Sequence, residues 1–269
     1  MQPFFLESAV GQRFCVHYPV FGGATRGLVL YVHPFAEEMN KSRRMAALQA
    51  QAFCKAGYEV LQIDLFGCGD SSGDFGDASW QHWIEDIRLG YDWLRLRSNL
   101  PITLWGLRAG CLLAVEAAKA LPEKVNFLFW QPTFSGKQYF TQFIRLKVAG
   151  EIASGQGKGV AEALRLQLSA GEPIEIAGYG VAPALALNLE SAEMRPDALE
   201  AGNIVLLELT MRDQAELSPI AQRRIDDWHS QGWRVDGQVV QGPAFWQTAE
   251  IEDAPALLNA SLAGLESWQ

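Results

Sequence analysis

The chain has 269 residues and a formal net charge of -9, a size that fits one large domain or one domain carrying an insertion. The acidic balance leaves no basic footprint for nucleic acid, and no apolar run approaches the ~20 residues of a membrane-spanning helix. The opening MQPFFLES is too short to read as a signal peptide and carries no positively charged side chain, so a cytoplasmic location without membrane insertion is expected.

The first elements, FFLES and RFCVHYPV, alternate apolar with polar residues and predict an antiparallel hairpin. GLVLYVHP, YEVLQIDLFG, PITLWGL, KVNFLFWQP and NIVLLELT are continuous apolar runs, the pattern of strands buried on both faces of a sheet. RVDGQVVQG is more polar and reads as an edge strand. Helical spacing covers Lys41 to Ala56, Trp80 to Arg97, Ala109 to Leu121, Pro219 to Ser230 and a last stretch near Ala256 to Ala263. Ser218 suits an N-cap and Pro219 the first helical position. This alternation predicts an α/β fold with a mostly parallel sheet and helices on both faces.

Ser135 to Gly202 breaks the rhythm. It shows no convincing strand, short helical patterns such as VAEALRLQLSA, and glycine joints at SGQGKG and GYG. It is too long for a plain loop. The segment 135–202 therefore reads as a helical cap inserted after the sixth strand, over a core formed by 1–134 and 203–269.

Cys15, Cys54, Cys68 and Cys111 lack the C-x-x-C spacing of a zinc site and fall in unrelated contexts, so they read as buried thiols. Neither a metal nor another cofactor is expected.

Gly106, Leu107, Arg108, Ala109 and Gly110 carry the spacing of a nucleophile elbow, G-x-S-x-G. The place of the nucleophile is taken by Arg108, whose guanidinium stays protonated and cannot attack a carbonyl. HPFAEE follows the third strand, DLFGCGDSSGD the fourth. Together these features resemble the α/β-hydrolase fold over nearly the whole chain. More narrowly, HPFAEEMNKSRR, DLFGCGDSSGDF, LWGLRAGCLLA and QGPAFWQTAEIEDAP resemble the family named exosortase A system-associated hydrolase 2, of bacterial loci for PEP-CTERM sorting and exopolysaccharide production.

The resemblance implies an eight-stranded sheet and a triad of serine, acid and histidine. Asp213, in ELTMRDQAELSP, matches the acid. The elbow holds Arg108 in place of serine, and the segment after the last strand holds Phe245 and Trp246 with no histidine. Loss of one triad member can cost about a million-fold in turnover, so ordinary esterase activity is not expected.

Other candidates are weighed on their surroundings. His33 ends the third strand beside the expected pocket and suits either a site role or hydrogen bonding within its loop. His17, His82 and His229 fall in strand and helix positions where structural roles are usual. Cys111, three residues past the elbow, reads as inert, and Cys68 and Ser71 as turn residues. Glu37 and Glu38 precede the helix at Lys41; they suit an acid or base role, or simply a helix N-terminus. Arg108 would either pair with Asp213, Glu37 or Glu38, or offer its fork to a carboxylate or phosphate. The expected pocket joins Arg108, Leu107, Ala109, His33, Phe35, Phe245 and Trp246 around a small acyl or anionic molecule. The alternatives are a true ester hydrolase or acyltransferase with an unassigned nucleophile, and a non-catalytic scaffold for a protein partner of the same pathway.

Overall fold

The computed structural model describes residues 1–153, 159–213 and 215–268. In chain order the elements are β1 (Gln2–Glu7), β2 (Gln12–Tyr18), β3 (Gly27–Val32), α1 (Glu37–Lys55), β4 (Tyr58–Ile63), α2 (Trp80–Arg95), β5 (Ile102–Leu107), α3 (Ala109–Ala118) and β6 (Asn126–Trp130). They continue as α4 (Gly136–Ala153), α5 (Val160–Ser169), β7 (Ile174–Ile176), β8 (Tyr179–Val181), α6 (Pro183–Ser191), β9 (Asn203–Thr210), α7 (Pro219–Ser230), β10 (Arg234–Gln241) and α8 (Pro255–Glu266).

Eight strands form one sheet in the order β1-β2-β4-β3-β5-β6-β9-β10. β2 runs antiparallel to both β1 and β4, and the remaining pairs are parallel. This is the α/β-hydrolase fold. The alternating pleat divides the core between two faces. Leu28, Leu30, Leu104, Phe127 and Phe129 pack on one side with residues of α2, α3 and α7. Val29, Tyr31, Trp105, Leu128 and Trp130 pack on the other with residues of α1 and α8. Burial of β3 and β5 on both faces explains why their sequences are unbroken apolar runs.

The structure corrects several boundaries. α1 starts at Glu37, four residues before the expected Lys41, so Glu37 and Glu38 form its first turn and do not precede it. The polar run EEMNK hides that start, although Met39 is already buried. α2 and α3 stop short of Arg97 and Leu121, and α8 extends beyond Ala256 to Ala263 on both sides. α7 spans Pro219–Ser230 as expected, with the Ser218 side chain accepting from the Ala221 N–H.

The segment between β6 and β9 is not free of strands: β7 and β8 form a hairpin across Ala177 and Gly178. Both turn residues have positive φ, 52° and 83°, as a two-residue hairpin turn with matching twist requires. Three-residue strands and an alanine in the place usually held by asparagine conceal this turn in the sequence. The GYG joint belongs to the hairpin, and residues 154–158 of the SGQGKG joint lie outside the described residues.

Candidate functional site

β5 meets α3 at Arg108, which has φ 55° and ψ -121°. A side chain is rarely held in this region, and the neighbours enforce it. A Cβ on Gly106 would lie 2.7 Å from Cys111 Cα, and one on Gly110 would lie 2.4 Å from the Val32 carbonyl oxygen. The Arg108 N–H donates to the Trp130 carbonyl at 3.0 Å, and its own carbonyl accepts from the Cys111 N–H at 3.1 Å. On the adjacent strand, β3 meets α1 through a turn of nearly the same shape at Ala36, φ 53° and ψ -130°. The two turns bring Arg108 and the first turn of α1 together.

Arg108 Nε donates to Glu38 Oε1 at 3.4 Å, the long end of hydrogen bonding, and the two side chains are 18% and 19% exposed. The other Glu38 oxygen accepts the Tyr139 hydroxyl of α4 at 2.9 Å. The guanidinium carbon lies 5.6 Å from the ring centres of both Tyr139 and Trp246, within reach of cation–π attraction. Burial pushes the Glu38 carboxyl above its ordinary value, while the Arg108 charge and the Tyr139 hydrogen bond oppose that rise. Burial and, secondly, the Glu38 charge push the Tyr139 phenol well up.

Beside this cluster lies a cleft of about 240 Å³. Phe35, Phe143 and Leu146 supply an apolar wall; Arg108, Glu37, Glu38, Lys41, Gln142 and Gln247 supply polar groups. Lys41 Nζ lies 3.3 Å from Glu37 Oε1, one helical turn away. Among the described residues, the Trp246 Nε1 and Thr133 Oγ1 atoms are buried without a hydrogen-bond partner. No group of three or more His, Cys, Asp or Glu among the described residues is placed to hold a metal ion.

The internal partner of Arg108 is therefore Glu38. Asp213 is exposed and accepts from the Gln241 side-chain amide at 3.1 Å. His33 is buried, with Nδ1 donating to the Pro34 carbonyl at 2.8 Å and Nε2 accepting the Leu65 N–H at 3.2 Å. Those partners fix a neutral ring, and burial lowers its pKa further; it ties the loop after β3 to the end of β4. Of the other residues expected to line the pocket, Phe35 and Trp246 do so. Leu107 and Phe245 are instead in the apolar core with Trp105 and Trp130, and Ala109 is buried at the head of α3.

His17 contacts Glu59, His82 packs on Phe66, and His229 binds the Val235 carbonyl. Cys68 and Cys111 are buried, with thiols pushed far up by that burial. The Ser71 hydroxyl donates to the Asp64 carbonyl at 2.5 Å. Tyr139, Gln142, Phe143 and Lys41 escape the sequence reading. Tyr139 lies 101 residues from Glu38, and no local spacing signals such a partner.

The sheet order, the insertion after β6 and the turn at Arg108 define an α/β-hydrolase. Residues 23–167, just over half of the chain, match the family model described as Serine aminopeptidase, S33. The chain belongs to this family. It is similar to Protein ABHD12B of Homo sapiens, 33% identical over 98 residues, which are 36% of this chain and 26% of that protein. It is also similar to the Thermostable monoacylglycerol lipase of Bacillus sp. (strain H-257), 31% identical over 113 residues, 39% of this chain and 43% of that one. The matched stretch thus spans less than half the length of either relative.

Among solved structures, a highly thermostable carboxyl esterase from Bacillus coagulans superposes with TM-score 0.67 at 15% identity, covering 99% of this chain and 98% of that chain. Est1E from Butyrivibrio proteoclasticus gives TM-score 0.65 at 13% identity over 98% of each chain. At such identities the superpositions show the shared fold.

Proposed function

We propose that this family member has a degenerate triad and that its cleft binds a small acyl or anionic molecule without ordinary serine ester hydrolysis. The observation that carries this reading is Arg108 itself: a guanidinium stands at the elbow, held through Nε by Glu38. No histidine follows β10 in the sequence to serve as a base. Among the described residues the side-chain hydrogen bond of Arg108 is through Nε, which leaves its Nη groups for a ligand in the cleft that Arg108 lines. The lipase and esterase names of similar proteins favour an acyl ligand. Segment 135–202 acts as the cap, since α4 lines the cleft opposite the core of 1–134 and 203–269. The four motif segments named above support a role in the exosortase A-associated exopolysaccharide system, and we place that role in the cytoplasm.

A true ester hydrolase or acyltransferase with a nucleophile outside the elbow is a second reading. It draws on the Glu38 carboxyl, raised by burial and bordering the cleft, as a general acid or base. Thermal melts across small carboxylates and sugar phosphates, joined to fluorophosphonate labelling, separate the two. Binding without hydrolysis gives ligand-dependent rises in Tm, lost in Arg108→Leu, and no labelled serine. A labelled serine, or a Tm rise undiminished in the variant, overturns it; no Tm rise with any ligand favours the scaffold.

A further inference from the structure

The charges and faces of the cleft narrow the ligand further. The cleft contains two cations and two carboxylates, already matched: Arg108 with Glu38 at 3.4 Å and Lys41 with Glu37 at 3.3 Å. No surplus positive charge awaits a doubly charged ligand. The guanidinium is covered by Tyr139 and Trp246, and its Nε edge is turned to Glu38. What remains is the Nη pair, an in-plane fork that matches two oxygens of one planar group.

Resting on the reading of the cleft as a ligand site, we infer that Glu38 makes it selective for a monocarboxylate with an apolar tail over a phosphate monoester dianion. The tail has a wall of Phe35, Phe143 and Leu146. The cleft volume of about 240 Å³ is below the roughly 300–1,000 Å³ of drug-sized pockets, which limits the ligand to a short chain or a single ring. The selection is electrostatic. Glu38 cancels much of the attraction that Arg108 would offer to a second negative charge on the ligand, while the cost of taking a dianion out of water rises more steeply than that of a monoanion. Glu38 cannot turn aside without losing the Tyr139 hydroxyl, which holds its second oxygen at 2.9 Å.

The test is calorimetric binding of octanoate and of octyl phosphate at about pH 8, where a phosphate monoester is mostly dianionic, at matched ionic strength. Wild type is expected to bind octanoate at least about tenfold more tightly. Glu38→Gln keeps the shape and removes the charge, and is expected to shrink that preference about tenfold. Equal affinity for the two ligands in wild type overturns the inference without any variant. So does a preference that Glu38→Gln leaves unchanged. Absence of binding by either ligand to wild type is a different result: it removes the cleft reading, and this inference with it.

Discussion

Arg108 and Glu38, seventy residues apart in sequence, meet because β3 and β5 are neighbours and each passes into its helix through a turn of nearly identical shape. Arg108 is the charge that offsets the cost of keeping Glu38 ionised in a largely buried place. Glu38 in turn aims the guanidinium.

Replacement of Arg108 by leucine therefore destabilises the protein in a pH-dependent way. The folded-state pKa of Glu38 lies above its unfolded value because burial outweighs Arg108 and Tyr139. Such a group favours the folded state below the unfolded pKa, and that contribution is lost as pH rises through the folded pKa. Without Arg108 the folded pKa rises further, so the penalty grows with pH. Urea unfolding should show a small loss near pH 5 and about 1–3 kcal/mol near pH 8. A loss independent of pH would contradict the assigned role of Glu38.

Two glycine substitutions should differ in sign. Gly110→Ala drives a Cβ against the Val32 and His33 carbonyl oxygens, at 2.4 and 2.7 Å, and neither backbone atom has room to move. A loss of about 3 kcal/mol or failure to fold is expected. Gly150→Ala, at an exposed position of α4 with nothing within 4 Å of the new Cβ, should stabilise by about 0.5–1 kcal/mol. Denaturant midpoints of both variants check the pair.

Away from the cleft, Asp86→Ala is expected to cost about 3–5 kcal/mol. Asp86 accepts Arg13 Nε and the Phe66 N–H, each at 2.6 Å, and the Arg13 and Asp86 side chains are 3% and 2% exposed. Removing the carboxylate strands a buried guanidinium. Asp253→Ala, which breaks the surface pair with Arg44, should leave the melting curve almost unchanged.

Iodoacetamide at mildly alkaline pH should mark the folded protein at Cys54 first, by peptide mass mapping. Cys54 is partly exposed, whereas Cys15, Cys68 and Cys111 are buried. Burial pushes the Cys15 thiol up to about 12 and the other two higher still, so little reactive thiolate forms. Faster labelling of Cys111 than Cys54 would show that the elbow helix opens readily.

The fold was legible where chemistry repeats locally. Gly106 and Gly110 announced the turn at Arg108 by spacing alone, and unbroken runs such as GLVLYV marked strands covered on both faces. The site was legible only on its core side. Glu38 stood out as one acid of three, but its choice over Glu37 and Asp213 depends on the turn that sets α1 beside Arg108 and on Tyr139, which reaches it from α4. Phe245 and Leu107 looked like lining because they neighbour Trp246 and Arg108 in sequence. One residue along a strand turns a side chain to the other face, as for Leu107 beside Arg108, while Phe245 lies in an irregular segment with no such rule; both are in the core.

The turn at Arg108 has one further consequence. A non-glycine residue at φ 55° carries strain of order 1–3 kcal/mol, and that strain is imposed by Gly106, Gly110 and the strands around them, whatever side chain the turn presents. The position behaves as an address in the sheet. Any residue encoded there is delivered to the same point, between the N-termini of two helices and below α4. A lineage can therefore change the chemistry at this point with a single codon while the main chain stays as it is.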